Sequence, residues 1–135
     1  MKVVLDTNVL IAAFISHGVC NELLEYCALN HEIILSGFIL GELEEKLRGK
    51  FGFSKRETES VIRILKSRCA IVQAADIPHP ISRDPDDDNI IAAAISGLCD
   101  CIITGDKDLL VLHQVSGIQI IPPNYFWTFE RESSE

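Results

Sequence analysis

Acidic residues at four places stand out for where they fall along the chain. Asp6 ends the apolar run Val3-Val4-Leu5 and is followed by Thr7-Asn8. Glu42 lies inside a helical pattern. Asp84, Asp86, Asp87 and Asp88 crowd the start of another helical pattern around Pro85. Asp106 follows Ile103-Thr104-Gly105 and precedes Lys107-Asp108. Carboxylates gathered in a dry site cannot all stay ionised, so either their pKa values rise or cations sit between them. Hard oxygen donors in this number suit Mg²⁺ or Mn²⁺. The chemistry such ions favour is phosphoryl chemistry, with two ions roughly 3.5–4 Å apart stabilising both the attacking and the leaving oxygen of an in-line displacement.

Each of these residues also has an ordinary structural reading. Asp6 serves equally well as the cap of a following helix, with Thr7 or Asn8 sharing the duty. Asp106 fits a turn that caps a short helix, with Asp108 in its first turn. Glu42 sits at the border of the apolar stripe Ile39, Leu40, Leu43 and Leu47, while Glu44 and Glu45 face water; by itself it reads as a helix-flank glutamate. Asp84 as a cap, Pro85 just inside the start and some acidity in the first turn are normal helix chemistry. They do not account for four aspartates in five positions. Helical phase places Asp86 with Asn89 and Ser96 on the polar side and turns Asp87 and Asp88 toward Ile91, Ala94, Ile95 and Leu98. At least one carboxylate therefore points inward, where an unpaired charge is costly and a bound cation relieves the cost. Phase alone leaves both Asp87 and Asp88 open.

Other metal and cofactor chemistries fit poorly. His17, His31, His79 and His113 stand apart without zinc-ligand spacing, and Cys99-x-Cys101 has no second pair and alternates with core residues. Both sets read as structural. The chain has no P-loop, no GxGxxG and no GxSxG.

The elements that must position the carboxylates alternate in type. Strand patterns cover Lys2 to Leu5, Glu32 to Leu35, Ala70 to Val72, Cys101 to Thr104 and Ile118 to Ile121. Helical spacing runs over Val9 to Ile15, Val19 to Leu29, Phe38 to Phe51, a segment capped by Ser54 with Glu57 at the capping-box position, about Asp86 to Leu98, and Leu109 to Leu112. Asp76 to Pro85, with three prolines, reads as a loop. Strands alternating with helices predict an α/β fold, a parallel sheet covered on both faces. In such sheets ligands sit beyond the carboxyl ends of the strands. Asp6 and Asp106 then meet at one edge if their strands are neighbours.

A chain of 135 residues suits one domain, expected over residues 1–130 with 131–135 as a frayed tail. No run approaches the ~20 apolar residues of a membrane span, and the N-terminus shows no signal-peptide cleavage site. Five scattered cysteines, an odd number, predict reduced thiols and a cytoplasmic protein rather than a disulfide framework. The net charge of −8 has the wrong sign for a protein that holds nucleic acid by a basic surface alone. The densest basic stretch, Lys46, Arg48, Lys50, Lys55 and Arg56, reads as a solvated helix end.

The order of these motifs resembles the PIN-domain family, in particular its VapC-like toxin group. The likeness rests on VVLDTN, on Ser36 with Glu42 six residues on, on Asp88-Asn89-Ile90-Ile91-Ala92-Ala93, and on Ile103-Thr104-Gly105-Asp106-Lys107-Asp108-Leu109, from Val3 to about Pro122. The resemblance implies a three-layer α/β/α fold with a central, mostly parallel sheet. It implies a metal-dependent endoribonuclease using Mg²⁺ or Mn²⁺, with RNA as substrate, a cognate antitoxin as partner and a homodimeric state. The family's pattern of an aspartate three residues ahead of Ile-Ala-Ala falls on Asp88, and its acidic quartet on Asp6, Glu42, Asp88 and Asp106. Asn8, Thr104 and Asp108 match supporting polar positions. The chain departs from the pattern in the density of acid from Asp84 to Asp88 and in Leu109, where an aromatic residue is common.

Two rivals are weighed against this reading. A non-catalytic RNA- or protein-binding module has little reason to keep four converging carboxylates. A phosphotransfer protein of the haloacid-dehalogenase type needs a second aspartate where Asn8 stands, and a receiver domain needs a lysine on a later strand end that is absent.

Overall fold

The computed structural model describes residues 1–74 and 84–133. The expected loop from Asp76, up to residue 83, and His79 within it lie outside the described residues, as do residues 134–135.

Strands β1 (Lys2–Leu5), β2 (Glu32–Ser36) and β4 (Cys101–Ile103) form where the sequence is apolar without alternation. Their central residues Val3, Val4, Leu5, Ile33, Leu35, Ile102 and Ile103 are all 0% exposed, as expected of parallel strands covered on both faces. Between them run α1 (Thr7–Ile15), α2 (Val19–Asn30), α3 (Gly37–Gly49), α4 (Lys55–Arg68), β3 (Ala70–Val72) and α5 (Pro85–Ser96). After β4 come α6 (Lys107–Leu110), β5 (Gln114–Val115), β6 (Ile118–Ile121), a 3₁₀ turn at Pro123–Tyr125 and α7 (Phe126–Ser133). The Ser54–Glu57 capping box at α4 is made in both directions.

The sheet has six strands in the order β3-β2-β1-β4-β6-β5. All pairs are parallel except β5 with β6. That hairpin turns on Ser116 (φ 52°) and Gly117 (φ 82°), two left-handed residues in succession, as the twist of a two-residue hairpin demands. From β1 the chain steps outward to β2 and β3, then returns through α5 to β4 on the other side of β1. Strand order therefore reverses between β1 and β4, and at such a point the flanking loops part to leave a crevice. Helix α5 packs across β2, β1 and β4 and ends close against β2. A Cβ at Gly97 would lie 2.6 Å from Ile34 Cγ2, so only glycine allows that approach.

Of the tail expected to fray, residues 131–133 are helical and 134–135 lie outside the described residues. Helix α7 continues to Ser133, and Phe126 is 0% exposed. The rings of Phe126 and Trp127 pack around Tyr26 at centroid distances of 6.3 Å each. One Glu130 oxygen accepts from the Tyr26 hydroxyl at 2.6 Å and from His31 Nε2 at 2.6 Å. The Tyr26 hydroxyl is the main reason the Glu130 carboxyl is held below its usual pKa of 4.5. A carboxylate with a depressed pKa in the folded state contributes stability above 4.5 and loses it as pH falls through its lowered value. We therefore expect α7 to loosen below pH 4.5. Trp127, the only tryptophan, reports this directly: its emission should change on acid titration in the wild type, and Glu130→Gln should remove that step. Superimposable acid profiles for the two proteins would refute the assignment.

Candidate metal centre at the carboxyl edge of the sheet

The register of β1 and β4 decides what meets at the crevice. Leu5 pairs with Ile103, and the Asp6 N–H donates to the Ile103 carbonyl at 3.0 Å. The residues that follow the two strands, Asp6 and Thr104, are thus side by side although 98 positions apart. Thr104 Oγ1 donates to Asp6 Oδ2 at 2.7 Å, and the Thr7 N–H donates to Asp6 Oδ1 at 2.7 Å. Asp6 is therefore both the cap of α1 and a member of the site. The same Thr104 hydroxyl accepts from the Asp106 N–H at 3.0 Å, and Asp106 Oδ1 accepts from the Asp108 N–H at 2.9 Å, capping α6. One short chain of hydrogen bonds ties the ends of β1, β4 and α6 together.

Asp6 is 5% exposed and Thr104 0%. Burial is the largest influence on the Asp6 carboxyl and raises its pKa above the usual 3.8. The hydrogen bonds from Thr104 and Thr7 pull it back down, and the negative charges of Asp106 and then Glu42 push it up again. Asp106 and Glu42 therefore both add negative charge that bears on Asp6. Glu42 reaches the edge from the second turn of α3; its side chain is 16% exposed and Lys46 Nζ lies 4.0 Å from its Oε1.

Helix α5 supplies the remaining acid. Asp84 caps it by accepting from the Asp86 N–H at 2.9 Å. Asp87, 5% exposed, joins Asp106 and Asp108: one carboxylate oxygen from each lies within 4.8 Å of the others. The acid expected here was Asp88, which is half-buried and outside this group. The reason is helical phase. Asp87 shares a line with Ile90, Ile91 and Ala94, exposed 2%, 0% and 0%, which form the centre of the buried face. Asp88 lies 100° round, in line with Ile91 and Ala92, 0% and 4% exposed, but also with Ile95, which is only half-buried.

Of the expected supporting residues, Thr104 stands within the hydrogen-bond chain and Asp108 has moved into the carboxylate group itself. Asn8 is exposed at the start of α1. Thr7, set aside in the sequence as capping chemistry, is 1% exposed, and its hydroxyl has no hydrogen-bond partner among the described residues. No local sequence signal separates such a threonine from a cap.

The donor set suits a hard divalent cation: three carboxylates within one ion's reach, with Asp6 and Glu42 adding negative charge beside them. Sulfur and imidazole take no part in this group. Burial pushes the thiols of Cys69 and Cys99 up to about 11 and about 12, so they remain protonated, and His31 is held by Glu130.

Residues 2–108 match the family model described as PIN domain. Among solved structures, VapBC2 from Rickettsia felis bound to a DNA fragment from their promoter is similar over 89% of this chain and 97% of that one, with a TM-score of 0.65 and 20% identity. VapBC-1 from nontypeable Haemophilus influenzae is similar over 92% and 99%, with a TM-score of 0.64 and 19% identity. The PIN domain endonuclease Utp24 is similar over 88% and 82%, with a TM-score of 0.52 and 23% identity. At these identities the likeness is one of fold. No curated protein matches the chain.

Proposed function

The chain belongs to the PIN-domain family, and from that premise we propose that it is a divalent-cation-dependent endoribonuclease, the toxin of a toxin–antitoxin pair. The observation that carries the reading is the meeting of Asp87, Asp106 and Asp108 within 4.8 Å at the edge where Asp6 follows β1. Asp87, Asp106 and Asp108 would hold Mg²⁺ or Mn²⁺, with Asp6 and Glu42 completing the acidic pocket. An ion bound there supplies Lewis-acid charge against the negative charge that develops on phosphate oxygens during displacement. The protein's own part is positional. Thr104 fixes both the Asp6 carboxylate and the Asp106 backbone, and the Asp108 N–H orients the Asp106 side chain. Buried β1 and β4 beneath them hold that geometry without a flexible loop.

This reading also reconciles a net charge of −8 with a polyanionic substrate. Cations at the site, and Lys46 and Lys107 beside it, would meet the phosphates. The resemblance to VapC-like toxins further supports a cognate antitoxin, a homodimer and a cytoplasmic location. Among the described residues no single helix is long and apolar enough to cross a membrane.

The test is incubation of the purified protein with single-stranded RNA in Mn²⁺, in Mg²⁺ and in EDTA. We expect cleavage with either ion and none in EDTA. Mn²⁺ should also raise the melting temperature, since a ligand at a hundredfold its Kd adds about 2.7 kcal/mol of stability. A protein that neither cleaves RNA nor melts higher with Mn²⁺ would overturn the reading.

A further inference from the structure

Glu42 has two companions on α3. Phe38, Glu42 and Lys46 are spaced four residues apart, so they rise one above another along one side of the helix. The core face of α3 is a different stripe, Ile39, Leu40, Leu43 and Leu47, each at most 7% exposed. Phe38 stands beside that stripe and is 36% exposed. With Ile71, itself 43% exposed, and Val72, it lines a groove of about 460 Å³ beyond the carboxyl ends of β2 and β3. This is the sheet edge that carries the acidic pocket. Gln73 adds an amide to the groove, and beside Phe38 a Cβ on Gly37 would meet nothing within 4 Å.

Resting on the ribonuclease reading, we infer that Phe38 is the stacking platform for a base of the RNA strand, next to the phosphate held at the acidic pocket. The occupant follows from the stripe. A single-stranded nucleic acid presents base faces and phosphates at regular intervals. An exposed ring, a carboxylate that belongs to the ion site, and an ammonium on one line of a helix match that alternation. Aromatic rings are the usual platforms for unpaired bases, and stacking tolerates any base because every base has a π-face. Ile71 and Val72 add aliphatic surface beside the ring, and the amide of Gln73 can bond a base edge. Lys46, 38% exposed at the far side of Glu42, offers the backbone a positive charge.

The experiment uses a single-stranded RNA carrying 2-aminopurine, whose fluorescence is quenched by stacking, titrated with protein in Ca²⁺ buffer. Wild type should quench the probe. Phe38→Leu should bind about tenfold more weakly without quenching, and Phe38→Trp should restore both affinity and quenching. In cleavage with Mn²⁺, Phe38→Leu should raise KM more than it lowers kcat. Melting curves confirm that each variant is folded. If wild type cleaves RNA while Phe38→Leu binds and quenches equally well, the base site is wrong and the ribonuclease reading survives. If wild type neither binds nor cleaves RNA, both fall together.

Discussion

Asp87→Asn should lower the proposed ion-dependent RNA cleavage at least about a hundredfold, while Asp88→Asn should leave it within about threefold of wild type; the first figure corresponds to the several kcal/mol of charge stabilisation that a bound ion contributes. The two residues are neighbours, chemically identical and both in the first turn of α5. They differ in burial and company. Asp87 is 5% exposed and shares an ion-sized space with Asp106 and Asp108, and Asp88 lies outside it. Asparagine keeps the shape of the side chain and removes the charge, so the comparison isolates electrostatics. Calorimetric titration with Mn²⁺ gives a readout independent of turnover: binding should be lost or much weakened in Asp87→Asn and retained in Asp88→Asn. Far-UV circular dichroism shows whether each variant is folded. An inactive Asp88→Asn beside a fully active Asp87→Asn would refute the placement and return the role to the residue that the family pattern marks.

Thr104→Val is the second large effect, on stability and on activity together. Valine has the volume of threonine, so packing between β4 and its neighbours is kept. What goes is a hydroxyl that donates to Asp6 Oδ2 at 2.7 Å and accepts from the Asp106 N–H at 3.0 Å. Asp6 is left buried with the Thr7 N–H as its donor, and the Asp106 N–H loses its acceptor. Hydrogen bonds to buried charged groups are worth about 1.5–3 kcal/mol, and we expect urea denaturation to show a loss of about 2–3 kcal/mol at neutral pH. The Thr104 bond favours the ionised carboxylate, so its removal raises the Asp6 pKa further. The deficit is therefore largest where Asp6 is ionised and shrinks as pH falls and the group protonates. Activity should fall about 10- to 100-fold, the usual cost of losing a residue that orients an ion's ligands. Thr104→Ser, which keeps the hydroxyl, should recover most of both. In an Asp6→Asn background Thr104→Val should cost clearly less, and full additivity of the two substitutions would show that the hydroxyl does not act through Asp6.

Much of this protein is legible locally. Val3-Val4-Leu5 and Ile102-Ile103 announce buried parallel strands because a sheet covered on both faces tolerates no alternation. A carboxylate and a hydroxyl placed just after such strands, at Asp6 and Thr104, fall at the carboxyl edge wherever the strands sit in the sheet. The Ser54–Glu57 capping box is likewise a matter of three residues' spacing. Such features depend on neighbours in sequence, and the backbone periods of helix and strand carry them.

Three things belonged to the tertiary structure alone. Which of two adjacent aspartates turns inward depends on how α5 rolls as it crosses β1, β2 and β4, with the close contact at Gly97 holding its far end. One residue is 100° of helix rotation, finer than a broad apolar stripe can specify. Asp108 joins the acid group because α6 starts directly at the Thr104–Asp106 hydrogen-bond chain, not because of any motif of its own. The short segment Phe126–Ser133 carries too few periodic positions to declare itself a helix. It becomes one because Tyr26 and His31, about a hundred residues earlier, provide the apolar seat and the donors that its side chains need.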